Sequence, residues 1–445
     1  MADRYIYLDN AATTPCDKRV VNKMLPYFSE IYGNPSGIYK VSRQAKKGMD
    51  EARKIIAKFL NCQAGEIIFT NGGTESDNIA IFGVANSYVK SQITNRKSQI
   101  NSKSEILNSK FCIQNSKPHI VTTQIEHPAV LNSCRQLEKE GFEVTYLPVD
   151  KEGLVSAQAV REAIRPETVL VSIMYANNEI GTIQPIAEIA DVIKNFRSSK
   201  LKAQSSNKAQ KTNDKNSKVL DFGLCNLDLA AKYPLLHSDA CQATQYLEMD
   251  VAKLGVDLLT FNGSKIYGPK GIGALYVKSG VVLSPILFGG EQEREIRPGT
   301  ENVPAIVGLG EAVKLIDPKE GEREKKLRDY LTQALLKIGG TELNGSASRR
   351  LPNNINIAFK GIEGESMVLY LDREGICVST GSACLSQSLE PSHVIVALGK
   401  GKEAAHGSLR FTLGRFTTKS ELAKTIKMVK AAVQKLREIS AIDKK

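Results

Sequence analysis

Short apolar runs rich in β-branched residues recur along the chain, each closed by a cluster of polar residues, Gly or Pro. EIIFT (66–70), HIVTT (119–123), FEVTYLPV (142–149), TVLVSIMY (168–175), PLLHSDA (234–240) and DLLTFN (257–262) are of this kind and predict strands. Between them lie stretches with apolar residues at three- and four-residue spacing, such as VSRQAKKGMDEARKIIAKFL (41–60) and HPAVLNSCRQLEKEG (127–141), which predict helices. Strands alternating with helices predict an α/β fold: a mostly parallel sheet covered by helices on both faces. From about residue 316 the pattern changes to long amphipathic helices with few strands, which predicts a smaller C-terminal α+β domain.

The stretch VDLLTFNGSKIYGPKGIGALYV (256–277) reads as strand, tight turn, strand, and its turn carries Lys265. A turn lysine is ordinarily just solvated, so the other polar residues that follow strands decide its meaning. After EIIFT comes NGGTESDN, where two glycines permit close backbone approach and Thr74 opens a helix whose N–H groups can hold a phosphate. Thr74 and Asp77 also have the spacing of a capping box, and the two readings are compatible. His127-Pro128 follows PHIVTTQIE; Asn177, Asn178 and Glu179 follow LVSIMYA; Asp239 and Gln242 follow LLHS. Each alone is readable as a cap or a loop residue. In a parallel α/β sheet, however, ligands gather at the carboxyl ends of the strands. A lysine, a phosphate cradle, a strand-end aspartate, a histidine able to stack on a ring and an asparagine together match what pyridoxal phosphate requires. The lysine amine forms a Schiff base with the cofactor aldehyde, and an aspartate near the pyridine nitrogen keeps the ring an electron sink.

Composition narrows the picture. No window of the 445 residues approaches the roughly 18 apolar residues of a membrane span, and the start, MADRYIYLDN, is charged, so a cytoplasmic protein is expected. Eight cysteines occur without a CxxC, and five histidines without an HExxH, which predicts reduced thiols and neither a zinc site nor a disulfide framework. The formal net charge of +12 is local: residues 90–117 hold six Lys/Arg against one Glu, and 197–218 hold seven against one Asp. Both stretches are polar and poor in aromatics, and are expected to be flexible surface insertions; direct nucleic-acid binding is not expected.

The motifs YLDNAATTP (7–15), IIFTNGGTESDN (67–78), IEHPAVL (125–131), SDACQA (238–243), KIYGPKGIGALYV (265–277), RPGTEN (297–302), STGSACLSQSLEPSHV (379–394) and LRFTLGRFTT (409–418) resemble, in order, those of the cysteine desulfurases of the NifS and IscS family. The resemblance implies a fold-type I pyridoxal-phosphate transferase. Its large domain, residues 16–315, would be built on a mostly parallel seven-stranded sheet, and residues 1–15 and 316–445 would form the small domain. It also implies roles. Lys265 resembles the Schiff-base lysine, His127 the residue stacked on the pyridine ring, Asp239 the pyridine-nitrogen partner, and Gln242 and Asn178 the contacts to the ring oxygen. Thr74 with the Gly73 amide resembles the phosphate cradle, Thr300 a phosphate contact reaching in from the second subunit of a homodimer, and Asn34 and Arg410 the pair that holds the carboxylate of L-cysteine. Arg410 as a mere surface-strand charge is the bland alternative.

Cys384, in a loop of the long form, would take the sulfur as a persulfide for an acceptor protein of iron–sulfur assembly or tRNA thiolation, with alanine as the other product. Cys377, inside GICVST, is expected to be packed core. A selenocysteine lyase, a small-substrate aminotransferase and a catalytically weak interaction protein are the competing readings. The sequence departs from the family where Asn262 and Ser264 replace the usual Ser and His before the lysine. Tyr39 and Tyr175 stand where histidines are usual, and Phe288, Glu291 and Glu295 replace a His and two Gly.

Overall fold

The computed structural model describes residues 5–97, 117–211, 232–381 and 391–439. The first strand, β1 (Ile6–Tyr7), pairs in parallel with β11 (Ile376–Cys377), far along the chain. The β-branched runs then form one seven-stranded sheet: β2 (Ile67–Thr70), β3 (His119–Thr123), β4 (Glu143–Leu147), β5 (Thr168–Ser172), β6 (Leu235–Asp239), β7 (Leu258–Asn262) and β8 (Gly273–Val277). Their order is β2-β8-β7-β6-β5-β3-β4, and β8 alone runs antiparallel to its neighbours. A two-sided core explains the near-continuous apolar runs. Successive residues Ile120 and Val121, Leu170 and Val171, Leu235 and Leu236, and Leu258 and Leu259 enter opposite hydrophobic clusters, one on each face.

A third cluster joins Ile6 and Leu8 to Leu331, Ile357, Phe411 and Val429. It lies over a three-stranded sheet ordered β12-β10-β9, made of β9 (Thr341–Leu343), β10 (Asn354–Phe359) and β12 (Ser408–Thr412). The helices Pro318–Leu335, Gly364–Arg373 and Lys419–Ile439 accompany it. Among the described residues no helix is long and apolar enough to cross a membrane.

Two expectations need correction. The basic stretches do not begin as irregular insertions: helix Gly73–Lys97 runs through positions 90–97, and helix Ile186–Lys211 through 197–211. Arg197 also docks on the body, donating from Nε to Pro234 O at 2.8 Å and pairing with Asp257, while Lys200 Nζ donates to Pro166 O at 3.0 Å. Lys, Arg, Gln and Ala propagate a helix already nucleated by a packed amphipathic start, even where no apolar stripe continues. Positions 98–116 and 212–218 lie outside the described residues. Cys377, in turn, is not core. Ile376 and Val378 point inward, and the alternation of an extended chain leaves Cys377 only half-buried between them.

Candidate active site

β7 ends at Asn262, and a single 3-10 turn, Gly263–Lys265, carries Lys265 to the carboxyl edge of the sheet. Lys265 is half-buried, whereas Lys270 is exposed. The Lys265 ammonium donates to Ala12 O, and Gln242 Nε2 donates to Ala11 O at 3.0 Å. Thr14 donates from its amide and its hydroxyl to Ser264 O, at 2.8 and 3.0 Å. Residues 11–14 therefore lie across the strand ends. They are tied to β12 as well, by Ala11 N donating to Thr412 Oγ1 at 2.9 Å.

Asp239 closes β6, is 8% exposed, and accepts the Cys241 amide at 2.9 Å. His127 caps helix Pro128–Lys139: its Nδ1 accepts from Ala129 N at 3.1 Å, so the neutral ring carries its proton on Nε2. Burial lowers the His127 pKa, the Asp239 charge raises it, and Lys265 and His393 lower it, which places all of these within electrostatic reach of one ring. Behind Asp239, β6 buries His237. Its ring nitrogens meet Ser172 Oγ at 2.9 Å and Thr260 Oγ1 at 3.0 Å, and Asp77 Oδ1 stands 3.6 Å away. Desolvation pushes His237 down to about 4 and pushes Asp77 well up, the latter with help from the Asp239 charge. Asp77 is thus not a capping residue paired with Thr74. It is buried inside, while Thr74 is exposed at the helix start.

Glu126, next to His127, is also buried. Thr123 Oγ1 donates to it at 2.7 Å and Met174 N at 3.0 Å, yet desolvation raises its pKa to about 8. Gly73 sits where a Cβ would come within 2.8 Å of Cys241 Sγ and 3.3 Å of Asn262 Nδ2, so the helix start approaches the ends of β6 and β7 closely. Ser264 Oγ donates to Asn262 Oδ1 at 3.3 Å, so these two replacements face each other.

Arg410, on β12, is 2% exposed and is no surface charge. Its Nη2 donates to Asp9 Oδ1 at 2.7 Å, and its Nη1 to Asn178 O at 3.0 Å and Gly381 O at 2.8 Å; its buried Nε has no hydrogen-bond partner among the described residues. Gly381 has φ +117°, and a Cβ there would come within 2.7 Å of Glu179 Oε2. The same carboxylate accepts from Ser392 Oγ at 2.5 Å. Glu179 therefore touches the chain on both sides of residues 382–390, which include Cys384 and lie outside the described residues.

Asn34 and Thr300 are not drawn into this cluster within one chain. Both are exposed, and Asn34 Oδ1 accepts from Ser36 N at 2.9 Å. The residues that sequence reasoning passed over are Asp9, Glu126 and His237, while the sequence reads Asp77 as a cap and Glu179 as one of the polar residues that follow a strand. Signals existed: Glu126 adjoins His127, and His237 precedes Asp239 by the two residues that put both on one face of a strand.

With this geometry in place, the class is defined by comparison. The aminotransferase class-V model matches residues 6–108, 98–213 and 228–424, and the chain belongs to that family. Within it, the chain belongs with the cysteine desulfurases. It is 45% identical over 446 residues to the cysteine desulfurase IscS of Methanosarcina thermophila, covering 100% of this chain and 95% of the relative. It is 40% identical to cysteine desulfurase IscS 1 of Archaeoglobus fulgidus, covering 98% and 99%. Among solved structures, a NifS-like protein superposes with a TM-score of 0.78 at 30% identity over 97% of this chain and 100% of its own. SspA in complex with cysteine gives 0.71 at 32% identity over 93% and 100%.

Proposed function

We propose that the protein is a pyridoxal-phosphate-dependent cysteine desulfurase. It converts L-cysteine to L-alanine and leaves the sulfur as a persulfide on Cys384 for an acceptor protein of iron–sulfur assembly or tRNA thiolation. The observation that carries this reading is Arg410: one buried guanidinium touches Asn178, beside the Lys265 cluster, and Gly381, three residues before Cys384. Gly381, at most about 10 Å of chain from Cys384, is thereby held at the arginine proposed to bind the substrate.

The donor set fits the cofactor. The first-turn amides of helix Gly73–Lys97 lack intrahelical partners, as at any helix start, and suit a phosphate, with Thr74, Asn262 and Ser264 alongside. Asp239 suits a pyridine nitrogen, His127 a ring face, Asn178 and Gln242 a ring oxygen, and Lys265 the aldehyde. When bound, the cofactor supplies an electron sink for negative charge at the substrate α-carbon. Arg410 then binds the substrate carboxylate with Nε and Nη, a geometry suited to bidentate pairing, and Asn34 assists. Lys265 Nζ, with the neutral His127 ring, moves the α-proton. The Cys384 thiolate attacks the substrate sulfur and forms an S–S bond. The substrate's C–S bond breaks with its electrons left on the three-carbon fragment, which takes up protons and leaves as alanine. A homodimer completes the site in this reading, with the exposed Thr300 reaching a phosphate in the partner subunit. A cytoplasmic location agrees with the free cysteines among the described residues.

The test uses two variants. Cys384→Ser should keep the absorbance change on adding cysteine but lower alanine formation by on the order of 10³-fold or more, because a hydroxyl is not ionised at neutral pH. Borohydride should fix the cofactor to Lys265 and not to Lys270. Alanine released by Cys384→Ser at the wild-type rate would instead make the protein a lyase that expels sulfur without covalent capture.

A further inference from the structure

Arg410 is a buried cation, and among the described residues its ion-pair partner is Asp9, at 2.7 Å. Asp9 follows β1, and the backbone around it is fixed on both sides. Leu8 N donates to Cys377 O at 2.9 Å, Thr412 N donates to Leu8 O at 2.7 Å, and Ala12 N donates to Asp9 O at 3.1 Å. The chain wedged between β11 and β12 thus delivers this carboxylate to the arginine. Other charges do not take its place. Glu179, the other carboxylate beside Gly381, accepts from Ser392 Oγ at 2.5 Å and makes no ion pair with Arg410 among the described residues. Lys265, whose ammonium donates to Ala12 O, and Asp239 are one cation and one anion within reach of His127. Two neighbours of Asp9 are neutral at pH 7: burial, then the Asp9 charge, pushes Tyr7 up to about 12, and burial, then Asp372 and Asp9, pushes the Cys377 thiol up.

A guanidinium has five N–H donors: one on Nε and two on each Nη. In Arg410 both Nη1 hydrogens are taken, by Asn178 O and Gly381 O, and one Nη2 hydrogen is taken by Asp9 Oδ1. The buried Nε–H, which has no partner among the described residues, and the second Nη2–H remain, and they share one edge. A carboxylate on that edge meets Asp9 across Nη2. One guanidinium then lies between two carboxylates, and like charges a few ångströms apart in a partly dry site repel. Asp9 therefore offsets Arg410 while the edge is empty and opposes the ligand once it is filled. That opposition matters for a reaction whose product, alanine, keeps the carboxylate of its substrate: without it, the product would be gripped as firmly as cysteine.

We propose that Asp9 is a positioning residue of the carboxylate site: it confines the ligand to the Nε–Nη2 edge of Arg410 and lowers the site's affinity for α-carboxylates, so that alanine is released. This rests on the reading of Arg410 as the residue that holds the substrate carboxylate. Asp9 touches the arginine and acts through it. Its side chain keeps 16% exposure, so a neutral residue in its place is not forced into a dry core.

The test titrates L-alanine and L-alaninamide into the holoenzyme and takes each Kd from the absorbance change. Asp9→Asn keeps an acceptor for Nη2 and removes the charge. Its Kd for alanine should fall by roughly tenfold, while that for alaninamide, which has no carboxylate, should change little. The KM for cysteine should fall without a rise in kcat. The melting temperature should drop, because a buried cation has lost its counter-charge, and saturating alanine should raise it by more than in the wild type. Asp9→Glu, which keeps the charge, should bind alanine as the wild type does. Asp9→Ser, neutral and smaller, repeats the measurement if the amide is not accommodated. The wild type adds a bound that needs no variant: a preference for alanine over alaninamide of about 10³-fold or more would mean an arginine that Asp9 does not offset, and overturns the proposal. A Kd for alanine that is unchanged or higher in the neutral variants overturns it too. Arg410→Gln should abolish the preference for alanine over alaninamide. If it does not, the carboxylate is held elsewhere and the reading of Arg410 falls with the proposal; if it does while the neutral Asp9 variants bind alanine no more tightly, the role of Asp9 alone falls.

Discussion

The carboxyl edge of the main sheet and the segment from Phe288 to Asn302 both hold polar groups where they are costly, but they load different degrees of freedom. Around Asp239 the backbone is regular and the load is electrostatic: Asp77, Glu126 and His237 are buried, and desolvation pushes each toward its neutral form. In the other segment the buried carboxylate, Glu293, is matched. Arg53 Nη2 meets Glu293 Oε1 at 2.5 Å, and Phe69 N donates to Glu293 Oε2 at 2.9 Å. There the load is conformational, because Glu293, Arg294 and Glu295 have φ of 44°, 61° and 62°, three consecutive non-glycine residues in the left-handed region. A buried acid can relieve itself by taking a proton. A left-handed φ can be relieved only by changing the residue. The first region should therefore respond to pH and the second to side-chain identity.

The largest effect is expected at the contact that holds the second segment in place. Glu293→Ala leaves Arg53, whose side chain is 17% exposed, without its carboxylate, and leaves the Phe69 amide without an acceptor. Losing one partner of a buried pair costs about 3–5 kcal/mol. Glu293→Gln keeps an acceptor for Phe69 and should lose less. Denaturant unfolding of both variants measures this, and a loss under about 1 kcal/mol for Glu293→Ala would mean that the ion pair does not hold the left-handed turn.

A smaller, pH-dependent effect is expected at Glu126. Its folded-state pKa, about 8, lies above the ordinary carboxylate value because of burial. The unfolded chain thus ionises this group first as pH rises. Its contribution to stability is fully present below about pH 4.5 and is lost as pH climbs toward 8. Glu126→Gln removes that loss. The difference in unfolding free energy between variant and wild type should therefore shift in the variant's favour from pH 5 to pH 8, by up to a few kcal/mol. A difference that stays flat across this window would show that the carboxyl is ionised throughout.

What could be read from sequence follows the same division. The strands were legible because a short β-branched run bounded by Gly, Asn or Asp has few other uses, as HIVTT and DLLTFN illustrate. Lys265, His127 and Asp239 were legible because each follows a strand directly. Asp77 was not, since nothing in a linear pattern distinguishes a polar residue facing solvent from one folded inward; His237 left only its two-residue spacing from Asp239, which does not announce its contacts with Ser172 and Thr260. The helical course of positions 197–211 was hidden because a helix continuing beyond its packed portion has no apolar period to read. The left-handed run was visible only as an anomaly, at Glu295, where the family resemblance leads one to expect glycine.

That anomaly supplies the smallest and most discriminating effect. Glu295 is exposed, with φ 62°. The left-handed conformation costs a residue with a Cβ roughly 1–2 kcal/mol. Glycine avoids that cost but gives back about 0.5–1 kcal/mol through its freer unfolded chain. Glu295→Gly should therefore stabilise the fold by about 0.5 kcal/mol. Glu295→Ala, which removes the carboxylate and keeps the Cβ, should leave stability nearly unchanged, and the pair of variants separates backbone from side chain. Paired denaturation curves at one pH resolve the difference if the slopes agree. Equal stability of the Gly and Ala variants would move the load from the backbone back to charge, and the contrast between the two regions would fail.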